Sequence, residues 1–382
     1  MFTGKRILIT DGVARQVLPI VKGLKKQGCH ITILCFSKLD LGYSTKYADK
    51  RILLPCQEGD IKYQEEYVLD LIKKEKFDLI IPMSDETAEY LSRNKSTVLQ
   101  YAAVAVNDYN IFKQAANKNN TMRICQDNGI PCPTTYFDVK AVDFSKLTFP
   151  VVVKPETGCG SIGFKIVNDI DHLTDVIKEY QQKKYKLCIQ EYIPQDGPQY
   201  GAEVFRDKKG NFSFLVIDEK PRWFPLDGGS PTINISIHND EMKDMSKTLL
   251  NKMQWVGYAN IDFVLDKRDK KPKILEVNPR LSAGTKLNYC LGIDVAKAIL
   301  ENEFDSEVTK YKDYNDGIAI SCCLTELLWF VKSPNRFKTK PSILSIKNKK
   351  DVVFDTSDIW PFINFCIQSL LKYRKAMKLR ER

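Results

Sequence analysis

Apolar runs and helical periodicity divide the start of the chain into alternating strands and helices. Residues 5–10, 30–36 and 77–82 are short apolar runs that predict buried strands. Between the first two, residues 17–27 place apolar side chains on one helical face, and Gly28 ends the helix. This order predicts a parallel β-α-β sheet over residues 1–108. Only Gly12 stands where a dinucleotide-binding fold would carry several glycines, so no nucleotide is expected there.

The middle of the chain changes to short strands joined by turns. Residues 200–206 and 212–217 predict a hairpin, and residues 257–266 and 274–280 predict a second one. Helical segments are predicted at residues 110–128, 172–183 and 242–253. Near the end, residues 317–330 are a strand candidate and residues 360–382 read as an amphipathic helix. The fold class is therefore α/β, with a parallel N-terminal unit followed by an antiparallel one.

A glycine-rich stretch follows an apolar run at residues 151–153. Lys154 ends that run, and the loop after it carries Gly158, Gly160, Ser161 and Gly163. Glycines allow backbone N–H groups to surround an anion, and a neighbouring lysine suggests a polyphosphate. The lysine precedes the glycines, so the stretch is not a P-loop. The pattern predicts a β-hairpin with a glycine tip that could fold over phosphates, although alone it is equally typical of a plain turn.

Two carboxylates and an amide lie on the second predicted hairpin. Glu276 and Asn278 are two residues apart in one strand and therefore point to the same face. Asp262 lies on the preceding strand and can sit opposite them. Carboxylate and amide oxygens suit Mg²⁺, which also takes substrate phosphates as ligands. Solvent-facing strand positions are the alternative, but the apolar neighbours place this hairpin in a core, which favours a metal site.

Composition narrows the classes of chemistry that the chain can carry. Of 382 residues only 3 are histidine, so histidine-based catalysis or metal binding is not expected. The 11 cysteines form no CxxC and no zinc spacing, which indicates reduced thiols in a cytoplasmic protein. No signal-peptide core and no apolar run of membrane-spanning length is found. The net charge of +10 fits a basic surface, an anionic ligand such as a nucleotide, or an anionic membrane.

The order of these motifs resembles the ATP-grasp superfamily, in particular its carbamoyl-phosphate-synthase-like and carboxylate–amine ligase branch. The resemblance covers residues 1–300 and rests on Lys118 before GIPCP, VVVKP with GCGSIG, IQEYIP, ANIDFVL and ILEVNPRLSAG. It implies a pre-ATP-grasp domain at residues 1–108 and a two-lobed ATP-grasp domain at 109–300, whose flexible lid spans about 150–194. Residues 301–382 would form a C-terminal region ending in a basic helix.

The resemblance also implies a role for each matching residue. Lys118 and Lys154 would hold ATP phosphates, Lys154 and Arg280 would act on the transferred phosphoryl group, and the glycine loop would cover it. The remaining implied ATP contacts are the hinge residues and two candidates for the ribose: Glu191, Tyr192, Ile193, Gln199 and Glu203. Gln199 stands where many members carry a ribose-binding glutamate, and Glu203 is the alternative. Asp262, Glu276 and Asn278 match the ligands of Mg²⁺, with Mn²⁺ as a substitute ion.

The implied reaction phosphorylates a small-molecule carboxylate and passes the acyl group to an amine. The alternatives are a carbamoyl-phosphate-synthase-like phosphotransferase and a nucleotide-binding module with a degenerate site. Acceptor-side candidates are Arg222, Gly228, Gly229 and Ser282. A nucleic-acid partner is not expected, and a homodimer is the commonest default. The 6 basic residues from Lys372 onward suggest either a peripheral membrane contact or, more simply, a solvated helix end.

Overall fold

The computed structural model describes residues 2–155, 165–183, 185–194, 197–226, 229–345 and 348–380. The N-terminal unit is a five-stranded parallel sheet with the strand order β3-β2-β1-β4-β5. Its strands are β1 (Arg6–Ile9), β2 (His30–Cys35), β3 (Lys50–Leu53), β4 (Leu79–Ile81) and β5 (Ala103–Val104). Its helices are α1 (Val17–Lys26), α2 (Leu41–Ser44), α3 (Ile61–Lys74), α4 (Asp85–Arg93) and α5 (Lys95–Val98). The predicted parallel β-α-β unit is confirmed, because consecutive apolar strands are buried between helices on both faces.

The predicted helix at residues 110–128 is two helices rather than one. α6 (Tyr109–Ala116) ends at Asn117, and α7 (Lys118–Asp127) begins directly after it. The Asn117 side chain accepts hydrogen bonds from the backbone N–H groups of Asn119 and Asn120 at 2.9 and 3.1 Å. Asparagine favours such N-caps over helix interiors, so the break is local in origin. Its consequence is that Lys118 is the first residue of a helix.

A small antiparallel sheet forms the lid, with the strand order β6-β9-β7-β8. It consists of β6 (Thr135–Tyr136), β7 (Val151–Pro155), β8 (Lys165–Val167), α8 (Ile170–Gln182) and β9 (Leu187–Glu191). Val151, Val153 and Ile189 bury one face against α8 and form a separate small core. The sheet therefore also includes residues 135–136, which precede the predicted lid boundary at about 150, because β6 pairs with β9.

A seven-stranded sheet forms the larger of the two lobes that follow the N-terminal unit. Its strand order is β16-β15-β10-β11-β14-β17-β18. Its first members in the chain are β10 (Gln199–Arg206), β11 (Phe212–Lys220), β14 (Ile233–Ile237), β15 (Gly257–Asp266) and β16 (Lys271–Asn278). A two-stranded ribbon, β12 (Trp223–Phe224) with β13 (Ser230–Pro231), interrupts the run, and α9 (Asp240–Lys252) covers one face. Both predicted hairpins are present, and they pair through β10 and β15.

The last part of the chain, from residue 285 onward, extends this sheet. It contains α10 (Thr285–Cys290), α11 (Val295–Glu303), β17 (Ala319–Ser321), α12 (Cys323–Lys332), β18 (Lys349–Asp351) and α13 (Trp360–Arg380). The strand predicted at residues 317–330 is wrong beyond Ser321, since α12 follows. α13 packs on the N-terminal unit, where Gln368 donates to Asp40 at 3.3 Å and Asn364 donates to the Lys38 carbonyl at 3.1 Å. No described helix is long and apolar enough to cross a membrane.

Candidate active site

The antiparallel register of β15 and β16 brings the predicted carboxylates together. Asp262 is paired with Glu276, and Asn260 with Asn278, so all four side chains share one face of the large sheet. The amide nitrogen of Asn278 donates to Asp262 Oδ2 and to Asn260 Oδ1, both at 2.9 Å. Asp262, Glu276 and Asn278, which the sequence predicted to lie together, therefore meet on this hairpin.

Two lysines approach these carboxylates from different elements. Lys118, at the start of α7, places its Nζ 2.7 Å from Glu276 Oε2. Lys220, at the end of β11, donates to Asp262 Oδ1 at 2.5 Å. Burial disfavours charge on Lys220 and Asp262, but their attraction raises the pKa of Lys220 and lowers the pKa of Asp262. Both therefore stay ionised at neutral pH.

Arg280 closes the cluster with a partner from the N-terminal unit. Its Nε donates to Oδ2 of Asp85 at 2.9 Å, and Asp85 stands in the first turn of α4. Burial lowers the pKa of Arg280, but Asp85, Asp262 and Glu276 together raise it above its ordinary value. Ser84 caps α4, with its side chain accepting from Thr87 N–H at 3.2 Å. Asp85 beside it is not merely a helix-start acid, because it reaches the guanidinium.

Lys154 reaches the same region from the lid sheet. Its Nζ donates to Gln190 Oε1 at 2.8 Å, and Gln190 in turn donates to Thr135 Oγ1 at 2.8 Å. Burial lowers the pKa of Lys154, the positive charge of Lys118 lowers it further, and Glu276 acts in the opposite direction. Lys154 is therefore close enough to Lys118 and Glu276 for their charges to act on its own. The loop residues Gly158, Gly160, Ser161 and Gly163 lie outside the described residues.

The predicted hinge lies at the end of β9. The Glu191 carboxylate forms ion pairs with Arg268 and with Lys273, the latter at 3.5 Å. Its backbone N–H donates to the Thr134 carbonyl at 2.8 Å. Both the side chain and the N–H of Glu191 are therefore engaged within the protein. Tyr192 is partly buried and Ile193 is buried directly after the strand.

Glu203 does not have the exposure that a ribose contact needs. The residue is 1% exposed, and its Oε1 accepts from Ser282 Oγ at 2.7 Å and from Asn260 Nδ2 at 3.1 Å. Burial, with a contribution from Asp218, raises the pKa of Glu203 to about 8, so the carboxyl is protonated at neutral pH. A Cβ at Gly284 would lie 1.9 Å from Glu203 Oε1, so the carboxyl also requires glycine there. The prediction of Glu203 as a ribose ligand is corrected. Gln199 begins β10, opposite Lys220 and Val264.

The acceptor-side predictions need a correction at Arg222. Its guanidinium is buried and forms a two-pronged pair with Glu326 of α12, at 2.8 Å from Nε and 2.6 Å from Nη2. Its Nη1 donates to the Pro341 carbonyl at 2.6 Å. With all three nitrogens engaged, Arg222 has no free edge for a substrate carboxylate. The fold uses it to fix α12 against β12.

The other acceptor-side candidates have structural roles or are not described. A Cβ at Gly229 would lie 1.9 Å from the Phe224 backbone, so glycine is required where β12 and β13 close together. Ser282 donates to Glu203 and accepts from Gly284 N–H at 2.9 Å, which places it beneath the Arg280 loop. Gly228 lies outside the described residues.

The side chains of the site supply only some of the oxygen ligands that a metal ion needs, and substrate or water would supply the rest. Within the described ranges, no three His, Cys, Asp or Glu side chains come together as a metal site. The cysteines in the same ranges form no disulfide. Asp262, Glu276 and the Asn278 amide instead offer a few hard oxygens beside fixed cations. Such a set fits Mg²⁺, which keeps waters and takes phosphate oxygens as ligands.

A comparison with known protein families identifies a domain in the middle of the chain. Residues 115–284 match the family model of the ATP-grasp domain. This part of the chain is therefore an ATP-grasp domain, as the order of the motifs predicted. Among solved structures it resembles biotin carboxylase from Campylobacter jejuni, with a TM-score of 0.69, 15% identity, and coverage of 82% of this chain and 74% of that one. It also resembles L-amino acid ligase from Bacillus licheniformis, with a TM-score of 0.61, 19% identity, and coverage of 80% and 75%.

Two proteins of known activity are similar to the chain in sequence. D-aspartate ligase from Enterococcus faecium (strain Aus0004) is 24% identical over 251 residues, which is 60% of this chain and 59% of that protein. The carbamoyl phosphate synthase large chain of Saccharolobus islandicus (strain L.S.2.15 / Lassen #1) is 24% identical over 314 residues. That match covers 76% of this chain but 29% of the synthase. The chain thus spans less than two thirds of either relative.

Proposed function

We propose that the chain is an ATP- and Mg²⁺-dependent ligase that phosphorylates a small-molecule carboxylate and transfers the acyl group to an amine, releasing ADP. The observation that carries this proposal is the convergence of two facing lobes on one charged cluster. The lid contributes Lys154, while the large lobe contributes Lys118, Arg280 and a carboxylate pair. Similarity to an amino acid ligase and a D-aspartate ligase supports the same reaction class.

Lys118 and Lys154 are the proposed phosphate-binding pair. Lys118 now neutralises Glu276, and Lys154 lies within electrostatic range of both. A polyphosphate placed between the lobes would offer both ammonium groups a stronger partner than a single carboxylate. Burial and the neighbouring positive charge of Lys118 lower the pKa of Lys154, and an anion bound beside it would raise that pKa and favour the ammonium form. We propose that the adenine is bound at the hinge through the backbone of Tyr192 and Ile193.

Asp262, Glu276 and Asn278 are the proposed holders of Mg²⁺, with Mn²⁺ as a substitute. The Asn278 amide nitrogen is directed at Asp262 and Asn260, which leaves its carbonyl oxygen as the atom for a cation. Bound there, the ion would neutralise phosphate charge and align the β- and γ-phosphates. Lys220 holds Asp262 in its ionised form, which is the form that a cation requires.

Arg280 is proposed to face the transferred phosphoryl group. A carboxylate that attacks the γ-phosphate must overcome repulsion between anions, and a fixed guanidinium reduces that repulsion without reorganising. Asp85 orients the guanidinium through Nε, and Nη1 donates to the Leu281 carbonyl at 3.3 Å, which leaves Nη2 as the atom for a ligand. The acyl phosphate is sensitive to water, and the lid sheet is the element that can exclude water above it. None of these steps requires a covalent nucleophile on the protein.

A carbamoyl-phosphate-type reaction is the second candidate, because the match to the synthase covers 76% of this chain. The two reactions share carboxylate phosphorylation and differ in the identity of the acid and in the fate of its acyl phosphate. ADP release should be measured over a matrix of carboxylates and amines, including bicarbonate with ammonia. Release that requires a carboxylate and an amine together supports the ligase, whereas release with bicarbonate and ammonia alone supports the second candidate. ATP binding without turnover on any pair would indicate a nucleotide-binding module and contradict both.

A further inference from the structure

One exposed surface of the C-terminal region combines protruding apolar side chains with basic residues, in a segment that contains no acidic residue. Between residues 327 and 350 the chain carries 7 Lys or Arg residues and no Asp or Glu. In the same segment Phe337 is 82% exposed and Leu344 is 84% exposed. Leu327 and Val331, at 56% and 59% exposure, lie four residues apart and hence on one face of α12. We call these four residues, with Lys332, Arg336, Lys338 and Lys340, the 327–344 surface.

The loop after α12 is anchored through its backbone at Pro341 and Ile343, while the side chains of Phe337 and Leu344 stay exposed. The Pro341 carbonyl accepts from Arg222, and the Ile343 carbonyl accepts from Lys349 at 2.9 Å. Phe337 packs edge-on against Phe330 with ring centroids 5.5 Å apart, which fixes its direction while leaving most of the ring outside. These anchors hold the backbone near Pro341 to the body of the protein. Phe337 and Leu344 therefore project from a supported loop.

The carboxylates that bracket the segment do not neutralise it. Glu326 is buried and paired with Arg222, and Asp351 accepts from the backbone N–H groups of Cys323, Val353 and Phe354. The described cations of the surface are exposed. The surface is thus both apolar and positively charged.

We propose that the 327–344 surface docks the protein onto an anionic lipid bilayer, with Phe337 and Leu344 entering the interfacial layer. Aromatic and aliphatic tips beside basic side chains are the composition that peripheral membrane segments use. A second copy of the chain fits less well, because an isologous contact would bring like charges together. This proposal places the contact before residue 345 and not in the basic residues from Lys372 onward.

Vesicle co-sedimentation of the full chain tests the proposal. Vesicles of phosphatidylcholine alone are compared with vesicles containing about 30% phosphatidylserine, where the anionic leaflet attracts basic residues. The expected result is binding to the anionic vesicles that weakens strongly when the salt rises from about 0.1 to 0.5 M. The double variant F337S/L344S should bind about tenfold less, and each Lys→Gln change at 338 or 340 should cost about fivefold. Equal binding to both vesicle types would overturn the proposal.

Two controls separate this surface from its rivals. L99S/Y101S removes exposed apolar side chains from the N-terminal unit, at 55% and 46% exposure, and should leave vesicle binding unchanged. K375Q/K378Q/R380Q should also keep most of the binding. If that variant loses binding while F337S/L344S keeps it, the terminal residues are responsible and the proposal fails. A wild-type dimer in sedimentation velocity that F337S/L344S dissociates, without vesicle binding, would assign the surface to a second copy.

Discussion

Asp85 accepts a hydrogen bond from Nε of Arg280 at 2.9 Å, although 195 residues separate the two in the chain. The contact joins the first turn of α4 to the loop after β16, and hence the N-terminal unit to the proposed phosphoryl-transfer site. The N-terminal unit therefore does more than support the ATP-grasp domain. It supplies the group that orients the arginine.

We expect Asp85→Asn to reduce turnover more than ATP binding. The amide keeps the size of the side chain and leaves the Ser84 cap of α4 in place, but it removes the negative charge that raises the pKa of Arg280 and orients its guanidinium. We expect kcat to fall about tenfold and the ATP KM to change less than about twofold, because positioning rather than binding is lost. Glu86→Gln, at the exposed neighbouring position, is the control and should behave as wild type. A large rise in ATP KM with unchanged kcat would contradict this role.

Glu276→Gln should remove turnover while leaving the protein folded. The substitution keeps the size of the side chain but removes the charge that Lys118 now neutralises and that a divalent cation would use. We expect ADP release to fall about 100-fold or more, with a higher Mg²⁺ concentration needed for half-maximal rate. Thermal unfolding should change by only a few degrees, since the side chain is 29% exposed. Unaltered Mg²⁺ dependence would rule out the metal role.

Two lysines of the β7–β8 hairpin provide a matched pair for testing ATP binding. Lys154→Ala removes an ammonium close to Lys118 and Glu276, and we expect nucleotide affinity to fall about tenfold or more. Lys165→Ala changes the same hairpin, but that side chain pairs with Glu179 on α8 at 2.5 Å. Its loss should leave affinity within about twofold, as expected for an exposed pair. Calorimetry with a non-hydrolysable ATP analogue would measure both, and equal effects would argue against a specific role for Lys154.

The sequence predicts the strands and the proximity of Asp262, Glu276 and Asn278, because both depend on short spacings. Alternation within β16 is enough to place Glu276 and Asn278 on one face, and a short turn brings Asp262 opposite. The strand predicted at residues 212–217 stops short of Lys220, which the structure places at the end of β11. The alternation in FSFLVIDEK continues to that lysine and is the signal that could have found it.

Other site features depend on contacts that no local pattern encodes. Asp85 looks like an ordinary helix-start acid until Arg280 is beside it in space. Burial is equally hidden, since glutamate and arginine are residue types that are normally exposed, yet Glu203 and Arg222 are buried. Their partners are distant in the chain: Ser282 donates to Oε1 of Glu203, and Arg222 pairs with Glu326. These long-range pairings are the part of the site that required the structure.

Glu203 should make the stability of the protein fall as the pH rises. Burial raises its pKa from 4.5 to about 8 in the folded state, so the folded protein holds a proton that the unfolded chain has lost across this window. The free energy of unfolding should then decrease by up to about 1.4 kcal/mol per pH unit between these values from this group. Glu203→Gln is neutral at every pH and should remove that slope. Urea unfolding at pH 5 and pH 8 checks this, and an unchanged slope in the variant would show that Glu203 ionises normally.

The buried pair of Arg222 and Glu326 gives a test that separates structure from substrate binding. The two side chains are 2% and 4% exposed, so removing either partner leaves an uncompensated buried charge. We expect Arg222→Met or Glu326→Leu alone to lower the free energy of unfolding by about 3–5 kcal/mol, and the double variant to recover most of that loss because no charge is stranded. Urea unfolding measures all three. The folded double variant should keep the KM for the acceptor, since Arg222 has no free donor edge. A stable double variant whose acceptor KM rises tenfold would restore the substrate role that the structure argues against.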